Sequence, residues 1–144
     1  MDAFTATTFI DRPQQEVFDF MNDPANFAQW QSGTKSGWWT SEGPVAVGST
    51  CHVEGRMLGR KLVMDLEVTQ WEPPTSLGMK ASSGPMRFDV TNQFEPKDGG
   101  TLLTQDFTGE VGGFFKMAEG LAIKQLKKQV EADGKALKTL LEAK

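Results

Sequence analysis

The sequence contains a single histidine, His52, and a single cysteine, Cys51, and the two are adjacent. Neighbouring strand residues point to opposite faces, so a thiolate–imidazole pair between them is disfavoured. A zinc or non-haem iron site needs several His, Cys or carboxylate ligands at ligand spacing, and one His beside one Cys does not provide it. No G-x-S-x-G elbow occurs, and GRMLGRK at 55–61 has the wrong spacing for a phosphate loop and reads as a hairpin turn. No metal and no cofactor are therefore expected.

Two polar sets remain. The first consists of the amides Gln70, Asn92 and Gln105. Side chains alternate across a strand, so the apolar residues define an inward face: Leu62, Met64, Leu66 and Val68, then Met86, Phe88, Val90 and Phe94, then Leu103 and Phe107. Gln70, Asn92 and Gln105 fall in phase with these three sets, whereas Asp65, Glu67, Asp89 and Asp106 fall on the opposite, solvated face. Amides donate and accept hydrogen bonds and suit the orientation of a carbonyl or hydroxyl, but they are poor proton shuttles. Their plainer use is to satisfy backbone or water at strand ends.

The second set is His52, Glu54 and Arg56, alternating with Cys51, Val53 and Met57. In simple alternation the three form a solvated charge ladder. A bulge that reversed the phase would turn them inward, as a trio suited to acid–base or oxyanion chemistry. Trp38-Trp39 puts one indole on each face, with Trp38 expected at a pocket rim. Met64 and Met79 read as pliable lining or as ordinary core. Phe114, Met117 and Leu121, beside Gly112-Gly113, are expected at the mouth of a pocket.

These residues need elements to hold them. AFTATTFI at 3–10 reads as a strand and is closed by Pro13; Val17, Phe18 and Met21 then give a short amphipathic helix. Asp23-Pro24 starts another, with Phe27 and Trp30 as its apolar stripe. Six strands follow, GWWTSE, GSTCHVEGRM, KLVMDLEVTQWE, SLGMKAS, MRFDVTNQFE and TLLTQDFTGE, separated by turn residues that include Asp98-Gly99. Short loops between them imply an antiparallel meander. After Gly113 the period returns to helical, with Ala122, Leu126, Val130, Leu137 and Leu141 on one stripe. A helix of about 30 residues would run about 45 Å.

At 144 residues the chain fits one domain, 1–144, with a core of useful size. Ten Phe and four Trp against no Tyr make its aromatic content apolar. A net charge of −4 and a pI near 5.0, with no basic block longer than Lys127-Lys128, argue against nucleic acid as a partner. The start MDAFTATTF has no apolar leader core, and no run of about 18 apolar residues occurs. A cytoplasmic protein without a membrane span is expected.

The order of these elements resembles the SRPBCC (START/Bet v 1-like) superfamily, which includes polyketide cyclase/dehydrase-type small bacterial proteins. FIDRPQQEVFDFMNDPANFAQW carries the resemblance, with VGST at 47–50, VTQWEPPTSL at 68–77 and GGTLLTQDF at 99–107 in support. It covers essentially the whole chain. It implies an α+β helix-grip fold: a seven-stranded antiparallel curved sheet wrapped around a long C-terminal helix, with two short helices between strands 1 and 2. Members of the superfamily differ in function, and three functions are open. The first is binding of a hydrophobic small molecule, lipid-like or aromatic/polyketide-like, in a cavity between the sheet and the C-terminal helix lined by Trp38, Met64, Leu66, Gln70, Met79, Phe88, Val90, Asn92, Leu103, Gln105, Phe107, Phe114, Met117 and Leu121. The second is a cofactor-independent cyclase or dehydratase using His52, Glu54 and Arg56. The third is a co-chaperone-like interaction module. Ligand identity and oligomeric state do not follow from the sequence.

Overall fold

The computed structural model describes residues 2–57, 59–83, 86–111 and 119–144. Strand β1 (Asp2–Ile10) leads into helix α1 (Gln14–Met21), a 3-10 turn (Pro24–Asn26) and helix α2 (Phe27–Trp30). Strands β2 (Thr34–Trp39), β3 (Thr50–Met57), β4 (Arg60–Glu72), β5 (Ser76–Ser83), β6 (Met86–Lys97) and β7 (Gly100–Val111) follow, and then helix α3 (Glu119–Glu142). The strands form one antiparallel sheet in the order β1-β7-β6-β5-β4-β3-β2. The fold is α+β, a helix grip. Because β1 and β2 are opposite edges of the sheet, the two short helices carry the chain from one edge to the other.

Local chemistry accounts for the joints. Asp23 accepts the Ala25 N–H at 3.0 Å and Pro24 opens the 3-10 turn, as a capping Asp followed by Pro should. Asp98 and Gly99 take φ of 49° and 82°, the left-handed pair that a tight hairpin needs between β6 and β7.

The grip closes on the end of α3. Leu137 and Leu141 are fully buried, and Gly134 lies so close to β1 that a Cβ there would come within 2.5 Å of Thr8 Oγ1. Arg12 Nε donates to the Leu141 carbonyl at 2.8 Å, Glu142 accepts the Asp11 N–H at 2.8 Å, and Lys138 Nζ donates to the Phe9 carbonyl at 2.8 Å. Phe18 of α1 packs edge-on against Phe94 and tilted against Trp71. Toward its start, α3 instead presents Leu126, Gln129, Val130 and Asp133 to a cavity. Residues 112–118, where the first turns of a longer helix were expected, lie outside the described residues. Among the described residues no helix is long and apolar enough to cross a membrane.

Bulges set which side chains look inward. β4 pairs with β5 as Val68↔Met79 and then Gln70↔Gly78, so Thr69 and Gln70 together oppose one glycine. This extra residue resets the alternation, turning Trp71 toward Phe18 and Gln70 away. β3 pairs with β4 without interruption from Thr50↔Glu67 to Met57↔Arg60, so the phase reversal considered for His52 and Glu54 does not occur.

Candidate functional site: a cavity between sheet and helix

The cavity has a volume of about 160 Å³. Val53 and Gly55 of β3, Leu62, Met64 and Leu66 of β4, and Leu77 and Met79 of β5 make one side. Phe88, Val90 and Asn92 of β6 with Gln105 and Phe107 of β7 continue it, and the α3 residues cover it. Met21, Asn22, Phe27 and Trp30, from the α1–α2 segment, close the end nearest the grip. The walls are therefore apolar with a few polar groups set among them.

Those polar groups come from every wall. Asn92 and Gln105 face each other across β6 and β7, and both are buried. Asn22 and Trp30 are each only 6% exposed. Three buried atoms among these residues have no hydrogen-bond partner: the Asn22 Nδ2 and Trp30 Nε1 donors and the Asn92 Oδ1 acceptor. Leaving a buried polar group unsatisfied costs about 1–3 kcal/mol, and here the three residues that carry such groups all border one cavity.

Asp133 adds a carboxyl to the same lining. It is 6% exposed, and its Oδ1 accepts the Ser32 N–H at 3.0 Å. Burial pushes its pKa above the ordinary carboxylate value, against the pull of the Ser32 hydrogen bonds. Sequence reasoning missed this residue, although the spacing of Leu126, Val130, Asp133 and Leu137 puts a carboxylate inside the apolar stripe of α3.

The expected lining residues separate into groups. Met64, Leu66, Met79, Phe88, Val90, Asn92, Gln105 and Phe107 line the cavity. Leu103 is fully buried in the core but does not reach it. Gln70, turned out by the bulge, donates to Glu72 at 2.6 Å and to Ser76 at 2.8 Å. Trp38 pairs with His52 on the convex face and is 46% exposed, its ring 4.9 Å from the imidazole, while Trp39 is the indole packed against the core. Phe114 and Met117 lie outside the described residues, as does the side chain of Leu121.

His52 and Glu54 also sit on the convex face. His52 Nδ1 lies 2.8 Å from Asp65 Oδ1 and its Nε2 lies 2.9 Å from Glu54 Oε2. Two carboxylate acceptors call for two N–H donors, which is the imidazolium, and the hydrogen bonds to Asp65 and Glu54 raise the His52 pKa accordingly. Arg56 is exposed at the cavity rim, with Nη1 donating to the Gly59 carbonyl at 3.3 Å. Cys51 is fully buried, and burial, with Asp65 adding to it, pushes its thiol up to about 12, which makes it a poor nucleophile. Among the described residues no group of three or more His, Cys, Asp or Glu side chains is arranged to hold a metal ion.

The sequence profile of the family described as "Polyketide cyclase / dehydrase and lipid transport" matches residues 1–142. No curated protein matches the chain in sequence. Among solved structures, TTHA0849 from Thermus thermophilus is similar at a TM-score of 0.84 and 18% identity, covering 99% of this chain and 98% of that one. The Zhui aromatase/cyclase from Streptomyces sp. R1128 follows at 0.79 and 14%, covering 98% and 93%. Ara h 8.0201 gives 0.76 and 14%, covering 99% of each chain. At these identities the likeness is one of fold.

Proposed function

The chain belongs to the polyketide cyclase/dehydrase and lipid transport family, and from that membership and its cavity we propose that it binds a hydrophobic small molecule between the sheet and α3. The observation that carries this reading is the cavity itself: about 160 Å³, walled by Met64, Leu66, Met79, Phe88, Val90 and Phe107. An apolar cavity of about 150 Å³ holds one benzene ring, so the natural occupant is an aromatic or alicyclic unit of that scale. Expelling water from these walls supplies the affinity, at roughly 25 cal/mol per Å² of apolar surface buried.

Among the described residues, Met21, Met64 and Met79 line the cavity, and their methyl groups give a direct test. With 13C-methyl methionine labelling, titration with toluene should shift those three resonances together. If they stay unmoved at millimolar toluene, or only methyls elsewhere respond, the reading fails.

One observation favours a second reading, acid–base turnover inside the cavity: the buried carboxyl of Asp133. In that reading Asp133 replaces His52 and Glu54 as the proton-transfer group, since a raised carboxyl pKa brings it closer to neutral pH. Turnover that survives Asp133→Asn would remove it.

A further inference from the structure

Resting on the hydrophobic-ligand reading, we infer that the cavity takes an uncharged ring bearing a hydroxyl group, and not a bare hydrocarbon. The three unpartnered atoms carry the inference. Asn22 Nδ2 and Trp30 Nε1 are donors waiting for an acceptor, and Asn92 Oδ1 is an acceptor waiting for a donor. All three residues are only a few per cent exposed, and all line the cavity. In a protein interior such groups are nearly always satisfied, so their clustering around one space marks what the space is shaped to hold.

The complement of this set is an oxygen that both accepts and donates. A hydroxyl group does both: its lone pairs accept from the indole or amide N–H, and its proton goes to the Asn92 oxygen. A methyl ether only accepts and a hydrocarbon does neither. The three orphan groups are neutral dipoles, which a neutral hydroxyl satisfies without a counter-ion; of the charged groups in the lining, Asp133 is already engaged by the Ser32 N–H and Arg56 is exposed at the rim. Asn92 also stands beside Gln105 and opposite Leu77 on the inward face, so the hydroxyl-binding end is continuous with the apolar wall.

Phenol, anisole and toluene test this as three rings of similar size, with affinities measured by calorimetry on the intact protein. Phenol should bind tightest and toluene weakest, each added hydrogen bond being worth roughly two- to tenfold. Asn92→Leu should bring the phenol-to-anisole ratio close to one, and Trp30→Phe combined with Asn22→Leu should narrow the anisole-to-toluene ratio. The same Asn92→Leu protein without ligand should melt at a higher temperature than the parent, because it replaces an orphan buried polar group by an apolar one of similar size. Equal binding of the three probes, an unchanged phenol-to-anisole ratio in Asn92→Leu, or a lowered melting temperature in that variant overturns the inference. If toluene binds and phenol gains nothing, the apolar cavity stands and only its polar end falls. If none of the three binds, both fall together.

Discussion

The two faces of the β3–β4 ribbon are built from alternating residues of the same strands, yet they treat polar groups in opposite ways. On the convex face His52 bridges Asp65 and Glu54 at 2.8 and 2.9 Å under the ring of Trp38. That cluster is half in water and its strong hydrogen bonds are already made within the protein. On the concave face Val53, Met64 and Leu66 border a space where Asn22, Trp30 and Asn92 keep atoms without partners. Titratable side chains are therefore poor guides to function here. The ionisable cluster on the convex face has its hydrogen bonds made within the protein, and the atoms left without partners belong to neutral amides and an indole.

The largest expected effect separates neighbours in sequence that face opposite ways. A Cβ on Gly55 would land on the carbonyl oxygen of Gly33, which accepts the Arg56 N–H at 2.7 Å. Gly55→Val should cost about 3 kcal/mol or more, since neither backbone can yield without breaking that bond. Glu54→Val, one residue away and outward, should stay within about 1 kcal/mol. Urea denaturation of the two variants measures the contrast, and similar losses would mean that the two faces are not distinct in packing.

Next in size is Val90→Phe, which fills the cavity from β6. It should weaken toluene binding at least tenfold while changing stability by no more than about 1–2 kcal/mol in either direction, as cavity-filling changes do. A loss of several kcal/mol would instead mark the site as fully packed core.

Asp133→Asn tests a carboxyl in the cavity lining that burial perturbs. Its folded pKa lies above the ordinary value of 3.8, so the folded protein holds the proton more tightly than the unfolded chain does. Stability from this group is complete below that value and is lost as pH rises through the folded pKa. Asn keeps an acceptor for the Ser32 N–H and carries no charge. The variant should therefore gain on the parent as pH rises from about 3.8, and the gain should level off once the folded carboxyl is ionised. A stability difference that does not depend on pH would show that Asp133 is not ionised against a burial penalty.

Much of this was legible in the sequence because period and phase are local properties. Alternation put Asn92 and Gln105 on the inward face, and the Asp-Pro and Asp-Gly pairs marked the joints that the structure uses. Gln70 failed because a bulge against Gly78 resets the count, and the pairing that creates a bulge belongs to two strands and not to one. Trp38, expected at a pocket rim, instead stands outward opposite His52, and Trp39 opposite Cys51 is the indole against the core, because register between two strands, not alternation within one, chooses the face. Asp133 was readable from its place in the α3 stripe, but the orphan state of Asn22, Trp30 and Asn92 is a tertiary fact: each side chain lacks a partner only because of what surrounds it.

The smallest expected effect lies on the convex face. The folded pKa of His52 is raised above the ordinary 6.5 by its hydrogen bonds to Asp65 and Glu54. The stability it contributes is therefore fully present below pH 6.5 and is lost as pH rises through the folded value. Glutamine at this position can donate to a carboxylate but carries no charge at any pH. His52→Gln should be less stable than the parent in mildly acidic solution, by at most about 1 kcal/mol given the solvent exposure of the pair, and the deficit should close as the solution becomes alkaline. It should also shrink in 1 M salt, where screening acts within about 3 Å. Urea midpoints across pH at low and high salt measure both trends, and phenol affinity measured alongside should not move. If phenol affinity followed the His52 titration, the convex cluster would be coupled to the cavity, and the division between a self-contained outer face and an open inner one would no longer hold.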